Sequence, residues 1–148
     1  MSTFTQICYH IVFSTKNRDP VLAGDGRPAL FNYVWGIIKK RRSRLYRINC
    51  ALDHMHILSS LHPSCSLATF VKDIKVGSSH WIKEHKVFPG FTNWQAGYGA
   101  FTHNRDDRRH LIEYIKAQES HHRTVSFQDE LRRLLVEAGI EFDERFLL

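Results

Sequence analysis

Cysteine is scarce in this chain and is not arranged to do structural work. Cys8, Cys50 and Cys65 are odd in number, widely spaced and nowhere form a CxxC pair, which argues against a disulfide framework and against a cysteine-built zinc site. They are expected to be reduced, mostly buried small residues. No run approaches the roughly 20 apolar residues that a membrane helix needs. Met1-Ser2-Thr3-Phe4-Thr5-Gln6 lacks the basic start and long apolar stretch of a signal peptide, so the expected location is the cytoplasm, with no membrane partner. Repeats and low-complexity tracts are also missing. The 148 residues, 43% hydrophobic, suit one domain over 1–148, with a sheet core over 1–103 and a helical C-terminal part over 104–148.

What the chain has in excess is positive charge and histidine. The net charge is +6 before any of the ten histidines titrate, a balance that favours a polyanionic partner, and nucleic acid is the commonest one. A soluble basic protein with no such partner is the plainer alternative. The charge gathers in Lys39-Lys40-Arg41-Arg42, with Arg44 and Arg47 after it and Lys72 and Lys75 further on. Four cations in a row exceed what a helix dipole requires. Interleaved with Tyr46 and Trp81, they are candidates for phosphate contacts and base stacking.

Hydrophobic periodicity orders the chain. Gln6 to Ser14 alternates with apolar groups on both faces, as a central strand would. Leu30, Tyr33, Val34, Ile37 and Ile38 follow Pro28 at helical spacing. Arg44 to Ala51 and His54 to Leu61 read as two strands joined tightly into a hairpin. Ser66 caps a helix reaching about His85, and Gly97 to Thr102 is a short strand. A further helix begins at Asp106 or Asp107 and ends near His121 and His122, and Ser126 opens a last one that stops at Gly139. Strand, helix, strand, strand, helix, strand is the order of the ferredoxin-like split βαβ arrangement: an α+β fold with an antiparallel sheet, both helices on one face, and added C-terminal helices.

Within this frame the informative stretch is Asp53-His54-Met55-His56-Ile57-Leu58. Alternate residues of a strand share a face, so His54 and His56 point the same way and their ring nitrogens can converge on one ion. An HxH pair alone is weak, and histidines hydrogen-bonded inside a core are the alternative. The candidate for the other half is Tyr114-Ile115-Lys116-Ala117-Gln118, where an i, i+4 spacing places a phenol and a carboxamide on one helical face. Glu113, Glu119, His110, His121 and His122 are nearby alternatives. Two imidazoles plus a carboxamide oxygen suit Mg²⁺ or Mn²⁺, with open positions for phosphate oxygens. Tyr114 would supply a nucleophile, and packing in the core is the plainer role of such a tyrosine.

Several stretches, in order along nearly the whole chain, resemble the single-tyrosine HUH transposases of bacterial insertion sequences. They are Ile11-Val12-Phe13-Ser14-Thr15-Lys16, the histidine stretch with Pro63-Ser64 after it, Lys75 to Ser79, Trp94-Gln95-Ala96-Gly97-Tyr98-Gly99-Ala100-Phe101, Tyr114 to His122, and Gly139-Ile140-Glu141-Phe142-Asp143-Glu144. The resemblance implies that His54 and His56 are metal ligands, Gln118 the third ligand and Tyr114 the nucleophile. It further implies a homodimer in which the tyrosine helix of one subunit can complete the histidine site of the other. The implied substrate is single-stranded DNA with a hairpin near the element's end, cleaved and rejoined through a 5′-phosphotyrosine with Mg²⁺ or Mn²⁺. Thr102-His103-Asn104-Arg105-Asp106-Asp107 departs from the family in being more charged. The competing reading is a domesticated or non-catalytic hairpin-binding protein.

Overall fold

The computed structural model describes residues 2–118 and 125–147. Its centre is a four-stranded antiparallel sheet in the order β2-β3-β1-β4, formed by β1 (Cys8–Ser14), β2 (Leu45–Cys50), β3 (His54–Ser60) and β4 (Gly99–Thr102). Helix α1 (Gly26–Lys40) connects β1 to β2, and α2 (Leu67–His85) connects β3 to β4. This is the split βαβ arrangement that the order of elements predicts. β1 hydrogen-bonds to β3 on one side and β4 on the other, which explains why it carries apolar groups on both faces.

The two faces of the sheet are covered by different helices. On one, Leu30, Val34 and Ile38 of α1 and Phe70, Val71, Ile74 and Ile82 of α2 pack over Ile11, Phe13, Met55 and Ile57. Ser66 starts α2 by accepting a hydrogen bond from the Thr69 amide at 3.1 Å, which satisfies one of the helix's otherwise orphaned N–H groups. Lys75 points inward from α2 and donates to the carbonyls of Gln95 and Gly97 at 2.6 and 2.7 Å. Its ammonium therefore pins the loop before β4 instead of standing free to contact phosphate as its charge suggested. Among the described residues, no helix is long and apolar enough to cross a membrane.

The opposite face carries α3 (Arg108–Lys116) and α4 (Phe127–Glu137). Leu111 and Ile115 pack against Cys8 and Leu58, and Phe127 and Leu131 against Val12 and Phe101. A short 3-10 turn, Arg105–Asp107, precedes α3. There the Asn104 side chain accepts from the Asp107 amide at 2.9 Å, so the regular helix begins just beyond the expected start. Its last residue is Lys116, and a turn at Ala117 separates it from Gln118, which is helical again. The expected continuation to His121 and His122 lies outside the described residues. The Ser126 hydroxyl caps α4, accepting from the Asp129 amide at 3.2 Å, and Gly139 follows the helix with a left-handed φ of 69°, as a stop signal should.

One polar contact ties α3 to the sheet. Asn49 of β2 donates from Nδ2 to the carbonyls of Ile115 and Lys116 at 3.1 and 3.2 Å, satisfying carbonyls that a helix end leaves without partners. Replacing Asn49 with Ala is expected to lower the unfolding free energy by about 1 kcal/mol, the usual net worth of such bonds. Chemical denaturation checks this, and an unchanged midpoint would contradict the assigned contact.

Candidate metal centre and its tyrosine

His54 and His56 are fully buried on the β3 face that α3 and α4 cover. Cross-strand register pairs Ser14 with His54 and Val12 with His56, so both imidazoles rise toward the helices. The group facing them is Glu130, one turn into α4 and itself fully buried. Its Oε1 is 2.7 Å from His56 Nε2 and 3.8 Å from His54 Nε2. One ligand atom from each of the three residues fits within a mutual spread of 4.8 Å. Two imidazole nitrogens and a carboxylate oxygen at this spacing form a mixed set that suits a divalent cation with positions left open. A carboxylate placed fully out of water also demands positive or hydrogen-bonding neighbours.

Surrounding groups hold the two rings. Asp53 Oδ1 lies 2.7 Å from His54 Nδ1, and the Phe127 ring stacks on His54 at 4.4 Å and 26°. His10 of β1 places Nε2 at 2.7 Å from His56 Nδ1, the two rings edge to edge with centroids 5.0 Å apart. Burial, and then the neighbouring His56 and His103, hold the His10 imidazole well below the ordinary histidine pKa, so it is neutral at pH 7.

Tyr114 reaches the same place from α3. Its ring stands edge-on to His56, 5.9 Å between centroids at 86°. Arg133 of α4, one turn after Glu130, donates from Nη2 to the Tyr114 hydroxyl at 2.9 Å. Burial raises the phenol's pKa first, and the Glu130 charge and a hydrogen bond to its carboxylate raise it further, while Gln118 and Arg133 act in the opposite sense. Gln118 is buried rather than exposed. Its Nε2 donates to the Tyr114 carbonyl at 3.3 Å, keeping the i, i+4 proximity across the turn at Ala117. The carboxamide oxygen has no hydrogen-bond partner among the described residues.

The structure thus brings His54, His56, Tyr114 and Gln118 to one side of the sheet. The basic residues lie elsewhere. Lys39, Lys40, Arg41, Arg42 and Arg44 are exposed around the end of α1 and the start of β2, Lys72 is exposed on α2, and Arg47 is half-buried. Arg41 is ion-paired with Asp73, and Lys39 sits over the Trp35 ring at 4.3 Å. Glu130, Arg133 and His10 escaped the sequence reading. For Glu130 a signal existed: between Phe127 and Leu134, beside Leu131, it interrupts the inward apolar stripe of an amphipathic helix with an acid.

A buried histidine pair, an acid and a tyrosine gathered on a ferredoxin-like sheet mark a protein whose chemistry is assembled on the face away from α1 and α2. Comparison with known proteins gives the family. The family described as "Transposase IS200 like" matches residues 3–118, and the chain belongs to it. The transposase for insertion sequence element IS200 of Salmonella typhimurium is 30% identical over 115 residues, covering 74% of this chain and 75% of that protein. The Salmonella typhi protein of the same name matches to the same extent. Two solved structures share the fold. One is a putative transposase from Deinococcus radiodurans, TM-score 0.62, 22% identical, covering 80% of this chain and 96% of that one. The other is a REP-associated tyrosine transposase bound to a REP hairpin, TM-score 0.62, 19% identical, covering 97% and 93%. The family match ends at Gln118, so α4 with Glu130 and Arg133 lies beyond it.

The electrostatics of Tyr114 give a pH prediction. A raised folded-state pKa means that the neutral phenol contributes stability below the unfolded value of about 10, which is lost as pH rises through the folded value. In ion-free protein, the ultraviolet difference titration between wild type and Tyr114→Phe should place the Tyr114 ionisation above about 10. Ionisation of Tyr114 at or below about 10 would contradict the described burial.

Proposed function

We propose that this chain cleaves and rejoins single-stranded DNA at hairpin-marked ends of an insertion sequence, with Tyr114 as the nucleophile. A divalent ion, Mg²⁺ or Mn²⁺, would be held by His54, His56 and Glu130, with the Gln118 carboxamide oxygen as a further ligand. Membership of a transposase family supports the strand-transfer class. The observation that carries the site is the approach of a tyrosine from α3 and an acid from α4 to the β3 histidine pair. A bound divalent ion supplies polarisation of the phosphodiester and neutralisation of its charge.

The protein's own groups account for the rest. In the proposed step the Tyr114 oxygen loses its proton and forms a bond to phosphorus, while the bond from phosphorus to the 3′ oxygen breaks and that oxygen leaves as a hydroxyl. The 5′ end stays on Tyr114 as a phosphotyrosine, and attack by another 3′ hydroxyl reverses the exchange and frees the phenol. The Glu130 carboxylate acts on the phenol and raises its pKa, and in the proposed step it takes the proton. Arg133 donates to the same oxygen and offsets the negative charge that develops there. Because one chain carries all of these groups, the step needs no residue from a second subunit, whether the protein acts as a monomer or a homodimer.

The exposed cations Lys39, Lys40, Arg41, Arg42, Arg44 and Lys72 would contact the phosphates of the bound strand, with Arg47 beside them. The guanidinium groups of Arg108 and Arg44 both stack on the Tyr46 ring, at 4.0 and 5.2 Å from its centre. That stacking joins the basic region to the face bearing the site. The name of the REP-bound structural neighbour lends support to a hairpin partner here.

The test is a cleavage assay on single-stranded DNA containing a hairpin, with Mg²⁺ or Mn²⁺ present. Wild type is expected to give a covalent protein–DNA adduct, and Tyr114→Phe to give none. Cleavage that persists in Tyr114→Phe would assign the nucleophile to water, and hairpin binding by wild type without any adduct would assign the chain to the non-catalytic class.

A further inference from the structure

We infer that His10 is a positioning residue for the ion site: through the contact between its Nε2 and His56 Nδ1 it fixes the ring of His56 and turns the Nε2 lone pair toward the ion. The inference rests on the ion-binding role proposed above for His54 and His56. It goes beyond that role by assigning a task to a residue outside the His54, His56 and Glu130 cluster.

The geometry begins with the register of the sheet. Val12 is paired with His56 and His10 with Leu58, so His10 and His56 share a face and sit diagonally across neighbouring strands, a relation close enough for ring contact. The two rings lie edge to edge and nearly coplanar, with centroids 5.0 Å apart and planes inclined by 21°. His10 Nε2 approaches His56 Nδ1 to 2.7 Å, a distance that requires a shared hydrogen. Both rings are fully buried.

Tautomer logic turns this contact into a function. A neutral imidazole has one N–H and one lone pair. His56 Nε2 is the nitrogen turned toward Glu130, at 2.7 Å, and only its lone pair can bind a cation. The ring hydrogen must then sit on Nδ1, where burial requires that an acceptor meet it. His10 Nε2 is that acceptor. Asp53 does the equivalent for His54, its Oδ1 lying 2.7 Å from Nδ1.

The two ligands are therefore held by chemically different partners. A carboxylate can only accept, which commits His54 to one tautomer. An imidazole can accept or donate, so His10 suits His56 in both states. With an ion present His56 donates from Nδ1. Without one, His56 Nε2 can donate to Glu130 while Nδ1 accepts from His10. The ring needs no reorientation between the two.

Mn²⁺ affinity of the full chain, read from the electron paramagnetic resonance of free Mn²⁺, tests the inference without requiring turnover. Melting temperatures measured with excess chelator report folding separately. Compared with wild type, His10→Leu is expected to bind Mn²⁺ about 10- to 100-fold more weakly, the usual cost of losing a residue that orients a ligand. His10→Gln retains an acceptor that can reach Nδ1 and is expected to stay within about threefold of wild type. His10→Asn is one methylene shorter; it is expected to bind as weakly as His10→Leu and serves in its place should that variant fail to fold.

Wild-type affinity in His10→Leu or His10→Asn would overturn the assignment, as would equal weakening in His10→Gln. Failure of wild type itself to bind Mn²⁺ would remove the ion site and the role of His10 together. Loss confined to the His10 variants, with rescue by Gln, supports both.

Discussion

A carboxylate without exposure to water lies 2.7 Å from one imidazole and 3.8 Å from another, and the face of the sheet away from α1 and α2 is arranged around that contact. Glu130 is costly to bury, so α4 must be seated firmly enough to keep it there. Phe127 and Leu131 do this, packing against Val12 and Phe101 while Phe127 also stacks on His54. Residues that anchor the helix thus also shape the site. From the other side, Leu111 and Ile115 hold α3 against Cys8 and Leu58, and Asn49 ties down its end. Tyr114 is carried to the histidine pair by this packing.

The sheet separates two tasks. Its α1 and α2 face is a continuous apolar core from Ile11 to Trp94, closed by polar contacts such as the Trp94 indole donating to Ser78 at 2.9 Å. Its other face is interrupted by His10, Ser14, His54 and His56, all buried. The histidines there are held by His10 pairing with His56, by Asp53 on His54 and by Glu130 of α4. The electrostatic preorganisation of the site comes from the same contacts that keep those helices in place.

Much of this could be read from the chain. The alternation of β1 with apolar groups on both faces marked it as central, and the order of strands and helices led to the split βαβ sheet. The spacing of His54 and His56 put both rings on one face, and the ordered resemblance placed the chain in a transposase family. Periodicity could not reveal which helix covers that face. Glu130 is remote in sequence from His54, and only the packing of α4 joins them. Lys75 looked like a phosphate contact because charge does not tell that the ammonium will turn inward to two carbonyls. His10 was passed over as one polar residue in an alternating strand, since its partner is set by register across two strands.

The proposed chemistry requires Nε2 of His54, Nε2 of His56 and the Glu130 carboxylate to face one ion. An anomalous difference map from crystals of the wild-type chain grown with Mn²⁺ tests this most directly. The expected result is a single strong peak in contact with all three groups, at about 2.0–2.3 Å from each ligand atom. A peak away from the histidine pair, or one that touches the histidines while Glu130 stands clear, would contradict it.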